Sequence, residues 1–202
     1  MNQNTQVQEA TISFIQQLRL HTSKSHAALE ALPLSASIVS PDITKYEYGS
    51  YLNLMHDIIR DSEASVFPVV SEIISDTVER KKKSFLENDL AFVNFPIKET
   101  PTALSQKFSI PFALGIVYVI EGSSLGGRVI LKNVEKTLGY NEQNGARYFA
   151  GYGNMTGSHW KNFLQMFTNY EIENGQSHEI IAGATFAFDT IYTHLSVFSN
   201  EN

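Results

Sequence analysis

An all-α, single-domain bundle is the fold class this chain predicts, on three observations. Apolar residues recur at helical spacing along most of the length, no segment keeps a clear two-residue alternation, and no internal repeat is visible. A chain of 202 residues, 43% hydrophobic and 18% charged, also suits one domain with a substantial core. The expected domain spans 1–202, with 1–8 as a flexible N-terminus.

Ile12, Ile15, Leu18, Thr22, Leu29 and Leu32 mark a first helix over about 9–31, stopped by Pro33. Ser40-Pro41-Asp42 reads as a start signal, a capping serine followed by proline at the first helical position. The second helix carries Tyr48, Tyr51, Leu52, Met55, Ile58 and Ile59, and is expected to continue past a kink near Pro68 to about Ser75. Phe85, Leu86, Leu90 and Phe92 place a third helix over about 81–93, and 94–101 is a connector. A brief helix over about 102–107 then leads into a long one over about 108–138, ended at Gly139. Beyond an irregular glycine-rich loop at 144–157, one helix holds Trp160, Phe163, Leu164 and Phe167. The last runs over about 176–198 through Ile180, Ala184, Phe188, Ile191 and Leu195.

Lysine and arginine total 15 against 21 acidic residues, a formal net charge of -6. That balance argues against a nucleic-acid footprint, which needs a basic face. The run Arg80-Lys81-Lys82-Lys83 is expected to be a solvated helix start or loop. There is no cysteine, which excludes thiolate metal sites and cysteine nucleophiles. The N-terminus lacks the charged and apolar regions of a signal peptide. The apolar run from Ile110 to Ile120 is too short to span a bilayer. A cytoplasmic protein with no membrane and no nucleic-acid partner is the expectation, with a monomer as default.

Within the long helix, Glu121-Gly122-Ser123-Ser124-Leu125-Gly126-Gly127-Arg128 is the segment that most needs an explanation. Three glycines in a helix interior cost about 3 kcal/mol relative to alanine, at about 1 kcal/mol each. Backbone pressed against a flat ligand would offset that. So would close helix packing, since Gly122 and Gly126 share a face. Both readings stand on the sequence.

Six histidines occur, and His26 is the most suggestive, with Glu30 four residues on and on the same helical face. A carboxylate there takes the hydrogen bond of one ring nitrogen and leaves the other free to bind a metal. An ordinary surface His–Glu pair is the plainer reading. Arg19 lies two turns earlier, about 10 Å along the axis and nearly in line. His21 points about 140° away from His26 and is a poor co-ligand. His56, His159, His178 and His194 stand alone and are expected to be satisfied or solvent-facing. No Glu-x-x-His pair and no His-Glu-x-x-His motif is present, which weakens di-iron and zinc-protease readings. Ser123 lacks the Gly-x-Ser-x-Gly setting of a hydrolase.

Taken together, these motifs resemble the heme oxygenase family, specifically its bacterial biliverdin-producing branch. Leu18-Arg19-x-x-Thr22-x-x-x-His26-x-x-x-Glu30 is similar to the proximal-helix signature. Tyr118-Val119-Ile120-Glu121-Gly122-Ser123-Ser124-Leu125-Gly126-Gly127 is similar to the distal-helix signature and is the more specific. The segment Gly145 to Gly151, followed by His159-Trp160-x-x-Phe163, looks like the loop and helix typical of bacterial members. The resemblance implies a multi-helix bundle with a glycine-kinked distal helix. It implies oxidative opening of heme by O2 and reducing equivalents to biliverdin, CO and ferrous iron, heme being both substrate and cofactor.

On that resemblance His26 is the axial iron ligand and Glu30 its orienting carboxylate. Gly122, Ser123, Gly126 and Gly127 bring backbone against the porphyrin and direct oxygen to its edge. Ser123 stands where vertebrate-type members carry an aspartate, which leaves the proton route open. Arg19 and Lys132 match positions that meet the heme propionates in different members, with Tyr118 and Lys24 as weaker partners. The final helix contains no lysine or arginine, so it lacks the basic clamp that vertebrate-type members place there. The implied electron donor is a ferredoxin or a flavodoxin-type reductase. Alternatives are a heme carrier or sensor on the same fold without turnover, and a heme-free relative, which here lacks its usual cysteine nucleophile.

Overall fold

The computed structural model describes residues 3–200, with side chains described from Phe14 to Phe198. Ile12 therefore lies outside the described side chains. The expected flexible N-terminus falls partly on residues 1–2, outside the described residues, and partly on 3–8, described only as helical backbone. In chain order the main helices are α1 (Gln3–Glu30), α2 (Pro33–Ser37), α3 (Lys45–Asp61), α4 (Phe67–Val70) and α5 (Lys83–Phe92). They continue with α6 (Ile110–Leu138), α7 (Arg147–Ala150), α8 (Thr156–Asn174) and α9 (Ser177–Ser196). Among the described residues there is no strand, only isolated bridges around Asn141–Gly145. The fold is all-α, as the periodicity predicts.

Helix α6 is the axis of the bundle. Ala113, Leu114, Ile116 and Val117 are fully buried against an apolar core that includes Leu18, Leu52, Ile58, Phe163, Ile180 and Ala187. By length and composition α6 could cross a membrane, and here 50% of its most apolar stretch is buried inside the bundle. It crosses α9 at backbone distance. A Cβ on Gly115 would stand 2.0 Å from the Ile180 carbonyl oxygen, and one on Gly183 would stand 2.0 Å from that of Phe112. The helix ends at Gly139, whose φ of 76° is the left-handed conformation that closes a helix C-terminus.

Several expectations are corrected. The second long helix starts at Lys45, not at Pro41, because Thr44 and Glu47 form a reciprocal capping box. Thr44 Oγ1 accepts the Glu47 N–H at 3.1 Å while Glu47 accepts the Thr44 N–H at 2.8 Å, and the Ser40 hydroxyl accepts the Asp42 N–H in a local turn. The break falls in a π-turn, Ser62–Val66, just before Pro68, and the chain leaves helix after Val70 rather than at Ser75. No helix forms over 102–107. Side chains of α3 take the connector's N–H groups instead: Asn53 accepts from Lys98 (2.9 Å), Asp57 from Thr100 (3.1 Å) and Asp61 from Thr102 (2.7 Å). Pro33, read as a stop, also opens the short α2.

The largest correction concerns the basic run. The Arg80 side chain is fully buried and Lys82 is 5% exposed, because both meet buried carboxylates from distant parts of the chain. Of the solitary histidines, His194 is satisfied as expected and His56 is not. His194 Nε2 sits 3.1 Å from buried Asp57. His56 is fully buried with neither ring nitrogen hydrogen-bonded, and Glu87 is 3.7 Å away.

Candidate active site

A cavity of about 590 Å³ opens between α1 and α6, within the size range of small-molecule and cofactor sites. Its α1 wall presents Arg19, His26, Leu29 and Glu30. Its α6 wall runs from Tyr118 to Ile130 and includes Gly122, Ser123 and Gly126. Apolar side chains of α3, Trp160 of α8, and Phe188, Ile191 and Leu195 of α9 complete the lining. The walls are predominantly hydrocarbon, and Arg19 is the one Lys or Arg among the described lining residues.

His26 is 53% exposed, with Nδ1 3.5 Å from Glu30 Oε2. That is a loose contact rather than a close hydrogen bond. Phe188 meets the ring edge-on at 5.3 Å between centroids. With Nδ1 turned to Glu30, Nε2 is the nitrogen free for a ligand. Among the described residues no group of three or more His, Cys, Asp or Glu could hold a metal ion. A metal at His26 must therefore bring most of its own donors, as iron in a macrocycle does.

The two sequence readings of the glycine segment divide between residues. Gly126 has nothing within 4 Å of where a Cβ would sit, and it faces the cavity. A Cβ on Gly122 would make only ordinary contact with Trp160, at 3.6 Å. Gly127 instead packs on α7, where a Cβ would stand 2.6 Å from the Phe149 carbonyl oxygen. Ser123 lines the cavity, with its hydroxyl donating to the Ile120 carbonyl at 2.7 Å. Tyr118 lines it too, stacks on Phe167 and meets Trp160 at a tilt. Of the residues singled out from the sequence, Arg19, His26, Glu30, Tyr118, Gly122, Ser123 and Gly126 share this cavity. Gly127 and Lys132 lie outside its lining, Lys132 on the exposed surface of α6.

Sequence reasoning missed what stands behind the glycine wall. Glu121, 1% exposed, accepts hydrogen bonds from Arg80, from Lys82 Nζ at 2.9 Å and from the Tyr152 hydroxyl at 2.8 Å. Arg80 also donates to both oxygens of Asp76 at 2.7 Å, and the Tyr152 ring stacks on His159 at 4.1 Å. Burial works against ionised Asp76, yet the Arg80 hydrogen bonds outweigh it and hold that carboxyl below its ordinary range. Burial beside the Glu121 carboxylate drives the Tyr152 phenol far upward, so it remains a donor. A carboxylate inside the apolar run of α6 was the available signal, because a buried charge requires a buried partner.

A long helix bearing a glycine wall stands across a slot from an imidazole. A sequence model described as heme oxygenase matches residues 99–196. The curated relative "Heme oxygenase PigA" of Pseudomonas aeruginosa is 28% identical over 181 residues, covering 86% of this chain and 87% of that protein. The fold is shared with solved bacterial heme oxygenases. That of Leptospira interrogans has a TM-score of 0.78 at 19% identity, covering 92% of this chain and 99% of that one. That of Neisseria meningitidis has 0.72 at 21%, covering 90% and 89%. That of the cyanobacterium Synechocystis, solved in complex with heme, has 0.73 at 18%, covering 93% of each chain. The sequence model and the curated relative both liken this chain to heme oxygenases, and the solved structures share its fold.

Proposed function

We propose that this protein opens heme oxidatively, using O2 and reducing equivalents, to biliverdin, CO and ferrous iron. The observation that carries the reading is the pairing, across one cavity, of His26 with a wall where Gly126 leaves the space of a side chain open. The residues present fit the group: one imidazole with a free nitrogen, a hydrocarbon slot, and a cation at its rim. When bound, heme supplies both the iron at which O2 is reduced and the ring carbon that is oxidised.

His26 holds the iron through Nε2, and Glu30 biases the ring by taking the Nδ1 proton. Arg19 pairs with a propionate at the mouth, and exposed Lys132, three residues beyond lining residue Val129, is a second cation for that rim. Tyr118 and Trp160 pack against the macrocycle. With heme held, the Gly122 and Gly126 backbone would confine oxygen toward the ring edge, and Gly127 keeps that backbone in place by packing on α7. Ser123 provides the one hydroxyl on that wall among the described lining residues of α6 other than Tyr118. Electrons come from a ferredoxin or flavodoxin-type reductase, and a net charge of -6 favours a basic docking face on that partner.

Titration with hemin followed by ascorbate in air tests the proposal. The wild type should develop a Soret band that gives way to bilin absorbance, and His26→Ala should lose the band. Retention of wild-type binding by His26→Ala would reject the ligand assignment. A Soret band that persists under reductant would instead identify a carrier or sensor.

A further inference from the structure

A second, small cavity of about 40 Å³ lies behind the α6 wall, lined by Tyr51, Lys82, Ser123, Ser124 and Tyr148 among others. Tyr51, Met55, Ser123 and Ile130 line both spaces, so one layer of side chains separates them. A water needs about 10–15 Å³ and two to four polar partners, and this cavity offers both.

We propose that Tyr148 is a positioning residue that delivers protons to the large cavity through Ser123, with water in the small cavity restoring them. The inference rests on the heme-opening reading and names the proton route for it. The Tyr148 side chain lines the small cavity together with that of Ser123. The backbone that carries it is clamped. Asp89 of α5, 2% exposed, accepts the N–H groups of Arg147 at 2.9 Å and Tyr148 at 2.8 Å. Arg147 in turn lies over the Phe85 ring at 4.3 Å and donates to the Gly151 carbonyl at 2.9 Å. This short turn therefore holds one phenol against the cavity that Ser123 also lines.

The titratable and charged groups around that phenol are Tyr51 from α3, Glu63 from the π-turn, Glu121 from α6 and Lys82 before α5. Burial, the neighbouring Tyr51 and the two carboxylates keep the phenol protonated, while Ser123 acts in the opposite sense. The relay is thus a weak acid, which can hand on a proton without presenting a strong one to the reacting oxygen. Each transfer balances. Ser123 turns its hydroxyl away from the Ile120 carbonyl and gives its proton to oxygen in the large cavity. Tyr148 gives its own to Ser123 Oγ, the water reprotonates Tyr148, and bulk solvent reprotonates the water.

The test uses hemin-loaded wild type, Tyr148→Phe, Ser123→Ala and the double variant, with ascorbate in air as reductant. Tyr148→Phe should bind hemin as wild type does, slow Soret decay about tenfold, at the lower edge of general acid effects, and change the H2O-to-D2O rate ratio. Ser123→Ala should do the same, and the double variant should be no slower than either single one. Wild-type rates in Ser123→Ala would overturn the relay even if Tyr148→Phe folds poorly. So would a wild-type rate and isotope ratio in Tyr148→Phe, or single effects that multiply in the double variant. A wild type that binds no hemin would overturn the heme reading itself, and the relay with it.

Discussion

On the α1 wall of the cavity, His26 is half-exposed and touches Glu30 at 3.5 Å, whereas on the α6 wall Glu121 is buried among Arg80, Lys82 and Tyr152. The two walls face one cavity but are held by different physics. An exposed His–Glu pair is screened by water and is worth about 0–1 kcal/mol. A buried carboxylate with two buried cations cannot lose a member without stranding charge in a medium that does not solvate it. The glycine wall is therefore anchored from behind by ions, and the imidazole wall rests on apolar contacts such as Phe188.

The sharpest way to break this contrast is Glu121→Ala. It leaves Arg80 and Lys82 buried without their shared partner and should lower unfolding free energy by about 3–5 kcal/mol in urea titration. Acid probes the same anchor. The carboxyl of Asp76 lies below its ordinary value of 3.8 in the fold, so its contribution is complete above that value. That contribution is lost as pH falls through the lower folded value, and thermal melting should drop below about pH 4.

Next in size is Gly127→Ala, whose new carbon would meet the Phe149 carbonyl and should cost about 1–3 kcal/mol. Gly126→Ala should behave oppositely. With open space at its Cβ it should raise helix stability by about 0.5–1 kcal/mol while weakening hemin binding. Equal destabilisation by both alanines would erase the distinction between the packing glycine and the cavity glycine. The smallest effect belongs to the imidazole wall. Glu30→Gln should change stability by less than about 0.5 kcal/mol, since the pair it removes is exposed.

Spacing singled out His26 with Glu30 and the glycine segment but left each with a plain structural reading, and only the family resemblance joined them into one site. The helix order followed from periodicity. What could not be read were contacts between distant segments. Arg80 and Lys82 look like solvated charge until α6 brings Glu121 to them. Tyr148 sits on a four-residue turn, too short for any periodicity to show. The missing 102–107 helix shows the same limit from the other side, because Asp61, some forty residues earlier, takes the Thr102 N–H.

Where α6 and α9 cross, Gly115 and Gly183 let main chain touch main chain, and α9 also carries the phenyl ring that abuts His26. Bare backbone has no rotamers to exchange, so this crossing works as a fixed jaw.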